Sequence, residues 1–305
     1  MITAVMMGMW FIFNVSACVV RFRAHHVRNL EDSSSNLRGV KETKPRWTEA
    51  KWSEHMNEIE PLIPGHIETE GSSGGRTISA RLQTIVPRHS LLSDSEFNRL
   101  QKVYLDIGAN RYSSSLGSWF YGDENEHEKL SEVISRSLPT LPAPEEWAVY
   151  AFEANPMHFG TYEKPLERHK NLHLVKKAAW MFNGDIEFCG TDYTGSGTEQ
   201  GGRVIECNPK SLITVPAIDL MEFLSTLPSD AYIVMKMDIE GAEHTLLPHM
   251  LKSGALQKYV HELYLECHYE GRGAGKRLTP GVFRSECMDL IKELRMSGVY
   301  THEWF

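Results

Sequence analysis

The chain has 305 residues, of which 41% are apolar and 24% charged, a balance typical of a globular protein with a sizeable core. Its formal net charge is −8 and its basic residues are scattered, which argues against a nucleic-acid partner. The five cysteines are widely spaced and form no CxxC pair, so the sequence indicates neither a disulfide scaffold nor structural zinc. We expect core thiols, with a single disulfide as the alternative.

Residues 1–20 contain no charged side chain. As a helix they would extend about 30 Å, the thickness of bilayer hydrocarbon. Arg21, Arg23 and Arg28 follow at once, and the positive-inside tendency favours a cytoplasmic position for the rest of the chain. The segment predicts a single-pass anchor in an endomembrane or the plasma membrane, with the side left open. A cleaved signal peptide is the alternative.

Residues 21–94 predict a flexible stem, because they are rich in Ser, Gly and mixed charge and poor in aliphatic side chains. Trp47, Trp52, Met56 and Ile59 share one face of a short predicted helix. We expect that helix to dock on the folded domain, since the glutamates around it would be repelled by anionic lipid.

Residues 95–305 predict one domain in which short apolar runs alternate with helices. The predicted strands are 102–108, 147–155, 172–180, 231–239 and 260–269, and the clearest predicted helices are 241–256 and 279–298, the second capped by Thr279. This alternation predicts an α/β fold with a Rossmann-like, doubly wound, mostly parallel sheet. Ligands bind such sheets at the carboxyl ends of the strands.

Acidic side chains concentrate where the predicted strands end. They are Asp106, Glu153, Asp238, Glu240 and Glu266, and His268 follows the last of them. Convergence of these ends predicts an acidic ligand site. Structural roles stay open for each residue, such as a helix cap for Asp106 and an exposed loop position for Glu153.

The motifs DIGAN, FEANP, AAW, VPAIDLMEFL, MKMDIEGAEHTLLPHML and LYLECH follow one another over roughly residues 100–305. In this order they resemble the FkbM family of S-adenosylmethionine-dependent methyltransferases. The resemblance implies a methyltransferase-type sheet and methyl transfer to a hydroxyl of a carbohydrate or small metabolite. A catalytically silent, membrane-anchored binding module with the same fold is the main alternative. A nicotinamide-dependent oxidoreductase is less favoured, because no GxGxxG motif follows a strand.

The resemblance also implies roles for individual residues. The loop after the first strand would hold the methionine end of the cofactor, Glu153 would accept hydrogen bonds from the ribose hydroxyls, and the adenine would lie against the AAW segment. The predicted cofactor-binding residues are Asp106, Gly108, Asn110, Ser113, Glu153, Ala179 and Asp238.

One departure from the family pattern concerns Tyr112, which stands where family members usually have a second glycine. Its ring could fill part of the cofactor cavity. Ser113, Ser114 and Ser115 follow, and their hydroxyls could replace the lost backbone contacts to the methionine carboxylate.

Methyl transfer to oxygen requires a base for the hydroxyl proton. The predicted catalytic residues are Asp238, Glu240, Glu266 and His268, with His268 as a candidate general base or, alternatively, a structural histidine at a strand end. We expect Glu243 to offset the dipole of the next helix. A magnesium or manganese site at the acidic residues and His268 is an alternative ranked below metal-free chemistry.

The sequence also supports predictions for three further segments. The insertion at 117–147 predicts an acceptor pocket in which Trp119, Phe120 and Tyr121 offer stacking surfaces. Residues 190–208 predict a loop or hairpin over the site, with a plain surface hairpin as the alternative. The carboxyl end predicts one more strand, so the last strand usual in methyltransferase sheets is expected to be absent or supplied differently.

Overall fold

The computed structural model describes residues 56–62, 86–123, 141, 143–189, 212–269 and 281–304. The predicted anchor at 1–20, most of the predicted stem and the segment 190–208 lie outside these residues. No helix in the described ranges has the length and apolarity needed to cross a bilayer. The membrane anchor therefore stays a prediction.

The described strands fall into two sheets. They are β1 Lys102–Ile107, β2 Trp147–Phe152, β3 Leu172–Val175, β4 Ala178–Trp180, β5 Gly184–Cys189, β6 Leu212–Asp219, β7 Tyr232–Met237, β8 Glu262–Glu266 and β9 Tyr300–Trp304. The larger sheet has the order β3-β2-β1-β7-β8-β9, and every pair in it is parallel. This order is that of Rossmann-like doubly wound sheets, as the sequence predicts. Among the described residues no antiparallel strand joins it.

The smaller sheet has the order β4-β6-β5, in which β4 and β6 are parallel and β5 is antiparallel to β6. The prediction of one strand over 172–180 is therefore wrong, because β3 and β4 belong to different sheets. Lys176 and Lys177, both exposed, separate the two strands. Their charged side chains interrupt the apolar run at the point where the chain leaves the first sheet.

Residues 56–59 are helical, and the α-helices with both ends in the described residues are α1 Asp94–Phe97, α2 Glu163–Arg168, α3 Leu220–Thr226, α4 Glu243–Ser253, α5 Ala255–Tyr259 and α6 Arg284–Met296. The single helix predicted over 241–256 is divided into α4 and α5 at Gly254, whose φ is 75°. Gly254 thus ends α4 in the left-handed conformation that glycine adopts readily. The predicted start of the last helix at Thr279 lies outside the described residues.

Strand alternation gives the larger sheet two apolar faces. On β1, Leu105 and Ile107 pack with residues of α4 and α6 in one core cluster, whereas Tyr104 joins a second cluster with Trp119 and Phe120. The same period of two applies along β8, where successive side chains enter opposite clusters. The sheet is therefore covered on both faces, and ligand access is confined to its edges and strand ends.

Residues 56–62 and 86–97 pack against this domain. Met56 is 1% exposed, and Glu60 bonds His302 of β9 at 2.7 Å. The Arg88 guanidinium donates to the carbonyl of His261 at 2.9 Å. Parts of the predicted stem thus contribute to the fold, and the predicted domain boundary at residue 95 stays a prediction.

Candidate functional site

The larger sheet changes direction at β1, since β2 and β3 lie on one side of it and β7, β8 and β9 on the other. In doubly wound sheets ligands bind outside the carboxyl ends of the strands at this point. A cleft of about 620 Å³, including the part that opens to solvent, lies there. Six of the predicted site residues line it, namely Gly108, Asn110, Glu153, Ala179, Asp238 and Glu240.

Gly108 sets the close approach of two strand ends at the floor of this cleft. Its φ is +78°, and a Cβ built on it would lie 1.8 Å from the main-chain oxygen of Asp238. Its N–H donates to the carbonyl of Phe152 at 3.1 Å. A side chain at this position is excluded by both conformation and space, so the geometry requires glycine here.

Glu153 follows β2 and holds the loops on either side of the cleft. One carboxylate oxygen accepts the N–H of Asn110 at 2.6 Å and the other accepts the N–H of Asn155 at 2.6 Å. Burial raises the pKa of Glu153 to about 7, against the opposing effect of these two hydrogen bonds. A carboxylate oxygen has two lone pairs, so each oxygen retains capacity for one further donor.

Asp106 does not line the cleft. Its side chain is fully buried, accepts a hydrogen bond from the Ser115 hydroxyl and pairs with Lys236 Nζ at 3.3 Å. Lys236 Nζ also donates to the carbonyl of Gly108 at 3.2 Å and to Asp238 at 3.3 Å. Asp106 therefore anchors the loop after β1, and its contact with a cofactor stays a prediction.

Lys236 is a buried cation that sequence reasoning did not single out. Burial would lower its pKa, but Asp106, Asp238 and Glu266 raise the pKa above its ordinary value. The ammonium group is therefore charged and holds Asp238 at the cleft. A lysine within the apolar run YIVMKM was the available signal, since an unpaired lysine is costly to bury in a central strand.

Tyr112 packs in the aromatic core and is absent from the cleft lining. Its hydroxyl donates to Asp123 at 2.6 Å, and its ring contacts those of Tyr121 and Tyr162 at centroid distances of 6.3 and 5.9 Å. The residue is 1% exposed. The ring thus leaves the cleft open.

The serines after Tyr112 bond within the loop. The Ser114 hydroxyl donates to the carbonyl of Ala109 at 3.2 Å, and the Ser115 hydroxyl donates to Asp106. Ser113 is half-buried and is not among the residues that line the cleft. The idea that these hydroxyls replace lost contacts to a methionine carboxylate stays a prediction for Ser113.

His268 lies at the centre of four carboxylates beyond the end of β8. Its Nδ1 is 3.0 Å from Glu243, and its Nε2 is 3.5 Å from Glu240, 3.7 Å from Asp238 and 3.9 Å from Glu266. Burial would lower the pKa of His268, but Glu243 and the other carboxylates raise it to about 10. The ring is therefore an imidazolium at neutral pH.

Glu243 has a larger role than offsetting a helix dipole. It begins α4 and is fully buried, and it accepts the main-chain N–H groups of Gly241 at 2.9 Å and His268 at 2.7 Å. Burial would raise its pKa, but His268 lowers it below the ordinary value. Glu243 is thus an ionised carboxylate that fixes the ring of His268.

Glu240 occupies a strained position beside the imidazolium. It is a non-glycine residue with a φ of 54°, a left-handed conformation that costs about 1–2 kcal/mol for an L-residue. Burial, opposed by His268, raises the pKa of Glu240 to about 7. Strained backbone and a carboxyl that titrates near neutrality are both features that concentrate at functional sites.

Asp238, Glu240 and His268 also form a possible metal-ligand set, since one ligand atom from each lies within 4.8 Å of the others. Two carboxylates and an imidazole suit magnesium, manganese or zinc. Without a metal, the His268 ring, whose pKa is raised to about 10, and Lys236 supply positive charge to these carboxylates. The metal alternative therefore stays below the metal-free one.

Two predictions about other residues are wrong. Trp119 and Phe120 are each 2% exposed and pack against Tyr104 in the core, Trp119 edge-to-face and Phe120 stacked, so they offer no surface to an acceptor. Cys267 and Cys287 are joined as a disulfide and are not core thiols; the disulfide is the alternative that the sequence left open.

Two residues that were not predicted, His158 and Lys177, also line the cleft.

The chain matches no family model, and the comparison with curated proteins finds no match. Among solved structures, it is similar to the crystal structure of methyltransferase FkbM from Methylobacillus flagellatus KT, with 15% sequence identity and a TM-score of 0.28. The match covers 57% of this chain and 34% of that chain, so this chain spans about a third of that structure. A likeness at this level does not establish the family, which remains a prediction.

Proposed function

We propose that the protein is an S-adenosylmethionine-dependent methyltransferase that methylates a hydroxyl of a carbohydrate or another small metabolite. The observation that carries the proposal is the convergence of Glu153, Asp238 and Glu240 on one cleft at the switch point of the sheet. A carboxylate after β2 suits a ribose diol, and carboxylates after β7 suit a sulfonium cation.

The alternative of a nicotinamide dinucleotide fits the strand order equally well but fits the loop chemistry poorly. A pyrophosphate is normally held by a glycine-rich turn at the N-terminus of a helix. Here the chain after Gly108 continues through the buried Tyr112 into a π-helix at Leu116–Phe120. The carboxylates of Asp238 and Glu240 would moreover repel phosphate, whereas they attract a sulfonium.

The residues that line the cleft suit adenosine. Glu153 would accept hydrogen bonds from the ribose hydroxyls, and Ala178 and Ala179, both less than a tenth exposed, provide an apolar wall for the adenine. Gly108 leaves the floor of the cleft free of a side chain. When bound, the cofactor supplies an electrophilic methyl group on a cationic sulfur.

Glu240 is the residue that we assign as general base. Its pKa of about 7 is close to the optimum for proton transfer at neutral pH. The imidazolium of His268, 3.5 Å away, would stabilise the ionised form of Glu240. This division of roles replaces the expectation of a neutral His268 base, because Glu243 keeps the ring protonated.

The alternative of a catalytically silent binding module is favoured by one observation. Ser115 and Asp106 bond each other and Glu153 bonds two main-chain N–H groups, so the loop after β1 is held in place by its own residues. Such a cleft could bind adenosine without catalysing transfer. We also propose that residues 1–20 anchor the chain in a membrane, whether it is a methyltransferase or a silent binding module.

Isothermal titration of the full-length chain with S-adenosylhomocysteine tests the proposal. We expect 1:1 binding that weakens about 10- to 100-fold in Glu153→Gln, because a hydrogen bond to a charged group contributes about 1.5–3 kcal/mol. Glu167→Gln, at an exposed glutamate of α2, is the matched control. Absence of binding by correctly folded wild-type protein refutes the proposal, and binding without methyl transfer to any hydroxyl acceptor favours the silent module.

A further inference from the structure

We propose that His244, Cys267 and Cys287 form a zinc site when the disulfide is reduced. The three residues come from separate elements, since His244 belongs to α4, Cys267 follows β8 and Cys287 belongs to α6. One ligand atom from each lies within 4.8 Å of the others. The inference does not depend on the proposed methyltransferase activity.

The separations of the ligand atoms match tetrahedral zinc. The Nε2 atom of His244 is 3.6 Å from the sulfur of Cys267 and 3.8 Å from that of Cys287. Tetrahedral bonds of about 2.0 Å to nitrogen and about 2.3 Å to sulfur place these atoms about 3.6 Å apart. The imidazole is therefore already at the distance that coordination requires.

Only the two sulfurs must move. In a tetrahedral site they lie about 3.8 Å apart, and the Cα atoms of Cys267 and Cys287, at 5.9 Å, can accommodate this by rotation of the side chains. Reduction breaks the sulfur–sulfur bond and adds two electrons and two protons, supplied by a dithiol in a cell. Zinc then displaces the two thiol protons, and the two thiolates and the imidazole of His244 fill three of the four coordination positions.

The surroundings suit a thiolate–imidazole site with one open position. Cys267 is 2% exposed and Cys287 is fully buried, whereas the His244 side chain is 16% exposed, so water can reach the fourth position from the side of His244. In the oxidised protein, Nε2 of His244 donates to the carbonyl of His268 at 2.7 Å. Coordination requires the other tautomer of His244, with the proton on Nδ1. The hydrogen bond from Nε2 to the carbonyl of His268 is then lost.

Cys267 connects the proposed zinc site to the acidic residues at the end of β8 through the polypeptide chain. Cys267 lies between Glu266 and His268 in sequence, and the carbonyl of His268 is the group that His244 gives up. The position of His268 thus depends on whether the cysteine pair is oxidised, reduced or bound to zinc.

The experiment is a titration of the full-length protein with Co²⁺ as the spectroscopic probe and Zn²⁺ as competitor, with and without a phosphine reductant. We expect the reduced protein to show a thiolate-to-cobalt charge-transfer band at one equivalent, which Zn²⁺ abolishes, and the oxidised protein to show none. The oxygen-rich set of Asp238, Glu240 and His268 cannot produce this band, since it contains no sulfur.

Variants locate the metal. His244→Gln, which retains both cysteines, should weaken binding by more than about tenfold, whereas His249→Gln, at an exposed histidine of the same helix, should not. Cys267→Ser/Cys287→Ser should lose the band, with circular dichroism as the test of folding. Absence of the band in reduced wild type, or its survival in either His244→Gln at unchanged affinity or the double serine variant, overturns the proposal.

Discussion

Nδ1 of His268 lies 3.0 Å from a carboxylate oxygen of Glu243, and that same oxygen accepts the main-chain N–H of His268 at 2.7 Å. Both residues are buried. The pair fixes the ring and keeps it charged, with a pKa of about 10 for His268. The electrostatics of the acidic cleft therefore depend on a glutamate that does not line it.

Glu243→Gln tests this dependence. Without the carboxylate, the pKa of His268 should fall from about 10, which an NMR titration of the imidazole resonances measures. Breaking a buried ion pair costs about 3–5 kcal/mol. Since the pKa of His268 is raised on folding, the stability that it contributes is present in full below pH 6.5 and is lost as pH rises through about 10.

Glu266→Gln is the matched control, because its carboxylate is 3.9 Å from the ring and its side chain is 20% exposed. We expect a smaller change in the pKa of His268 and less than about 1 kcal/mol in stability. Equal effects of the two variants would show that Glu243 has no special part in fixing the ring.

Cofactor affinity should depend on the protonation of Glu153. Ribose hydroxyls require the ionised carboxylate as acceptor, and the pKa of Glu153 is about 7, so binding of S-adenosylhomocysteine should be about tenfold weaker at pH 6 than at pH 8. Calorimetry at several pH values measures this. Glu153→Gln should abolish the dependence, and Glu240→Gln should leave it; a pH-independent wild type would contradict the assignment.

Gly108→Ala should destabilise the domain by more than about 3 kcal/mol and abolish adenosine binding, because the added Cβ would lie 1.8 Å from the main-chain oxygen of Asp238. Gly122→Ala is the control. Gly122 has a similarly positive φ of +65° but no atom within 4 Å of an added Cβ, so only the backbone strain of about 1–2 kcal/mol applies. Urea unfolding compares the two, and similar losses would refute the close approach as the cause.

Tyr112 provides a test of the open cleft. Because its ring packs in the core, Tyr112→Gly should cost at least about 3–5 kcal/mol in stability while changing affinity for S-adenosylhomocysteine less than about threefold. Tyr112→Phe keeps the ring and loses only the hydrogen bond to the Asp123 carboxylate, worth about 1.5–3 kcal/mol. An affinity that rises tenfold or more in Tyr112→Gly would mean that the ring occludes the cofactor.

His302 predicts a second pH dependence, away from the cleft. Its ring lies between Glu60 at 2.7 Å and Glu262 at 2.9 Å. Burial would lower its pKa, but Glu60 and Glu262 raise it to about 9. The associated stability, about 3 kcal/mol, should be present in full below pH 6.5 and lost as pH rises through about 9.

Unfolding in urea at pH 6, 7.5 and 9 measures the effect of His302. The decline with pH should be smaller in His302→Gln, which keeps only the part due to His268, and retained in full in His249→Gln, which alters an exposed histidine. If the stability of His302→Gln declines as steeply as that of wild type, the effect comes from another group.

Much of the site could be predicted from the sequence because its residues follow strands. Buried parallel strands are continuous apolar runs in the sequence, so the ends of β1, β2 and β7 could be predicted. Gly108, Glu153 and Asp238 directly follow these ends. The prediction of strands failed where one apolar run of the sequence forms two strands in the structure. The run at 172–180 divides between two sheets at its two exposed lysines, and periodicity within so short a run carries no information about which sheet each part joins.

The partners of the site residues could not be predicted, since they depend on contacts distant in sequence. Asp106 is held by Lys236 and Ser115, and His268 by Glu243. The raised pKa of His268 follows mainly from that pairing, to which Glu266 of β8 and Asp238 add smaller contributions. The aromatic residues Trp119 and Phe120 resemble a binding surface in the sequence, but pack under β1 in the fold.

A crystal structure of the full chain with S-adenosylhomocysteine tests most directly whether the cleft binds adenosine. We expect adenosine in the cleft, with both ribose hydroxyls bonded to the carboxylate of Glu153, the adenine beside Ala179 and the sulfur facing Asp238 and Glu240. A structure at saturating ligand in which the ribose contacts other residues, or in which this cleft holds no adenosine, would contradict it.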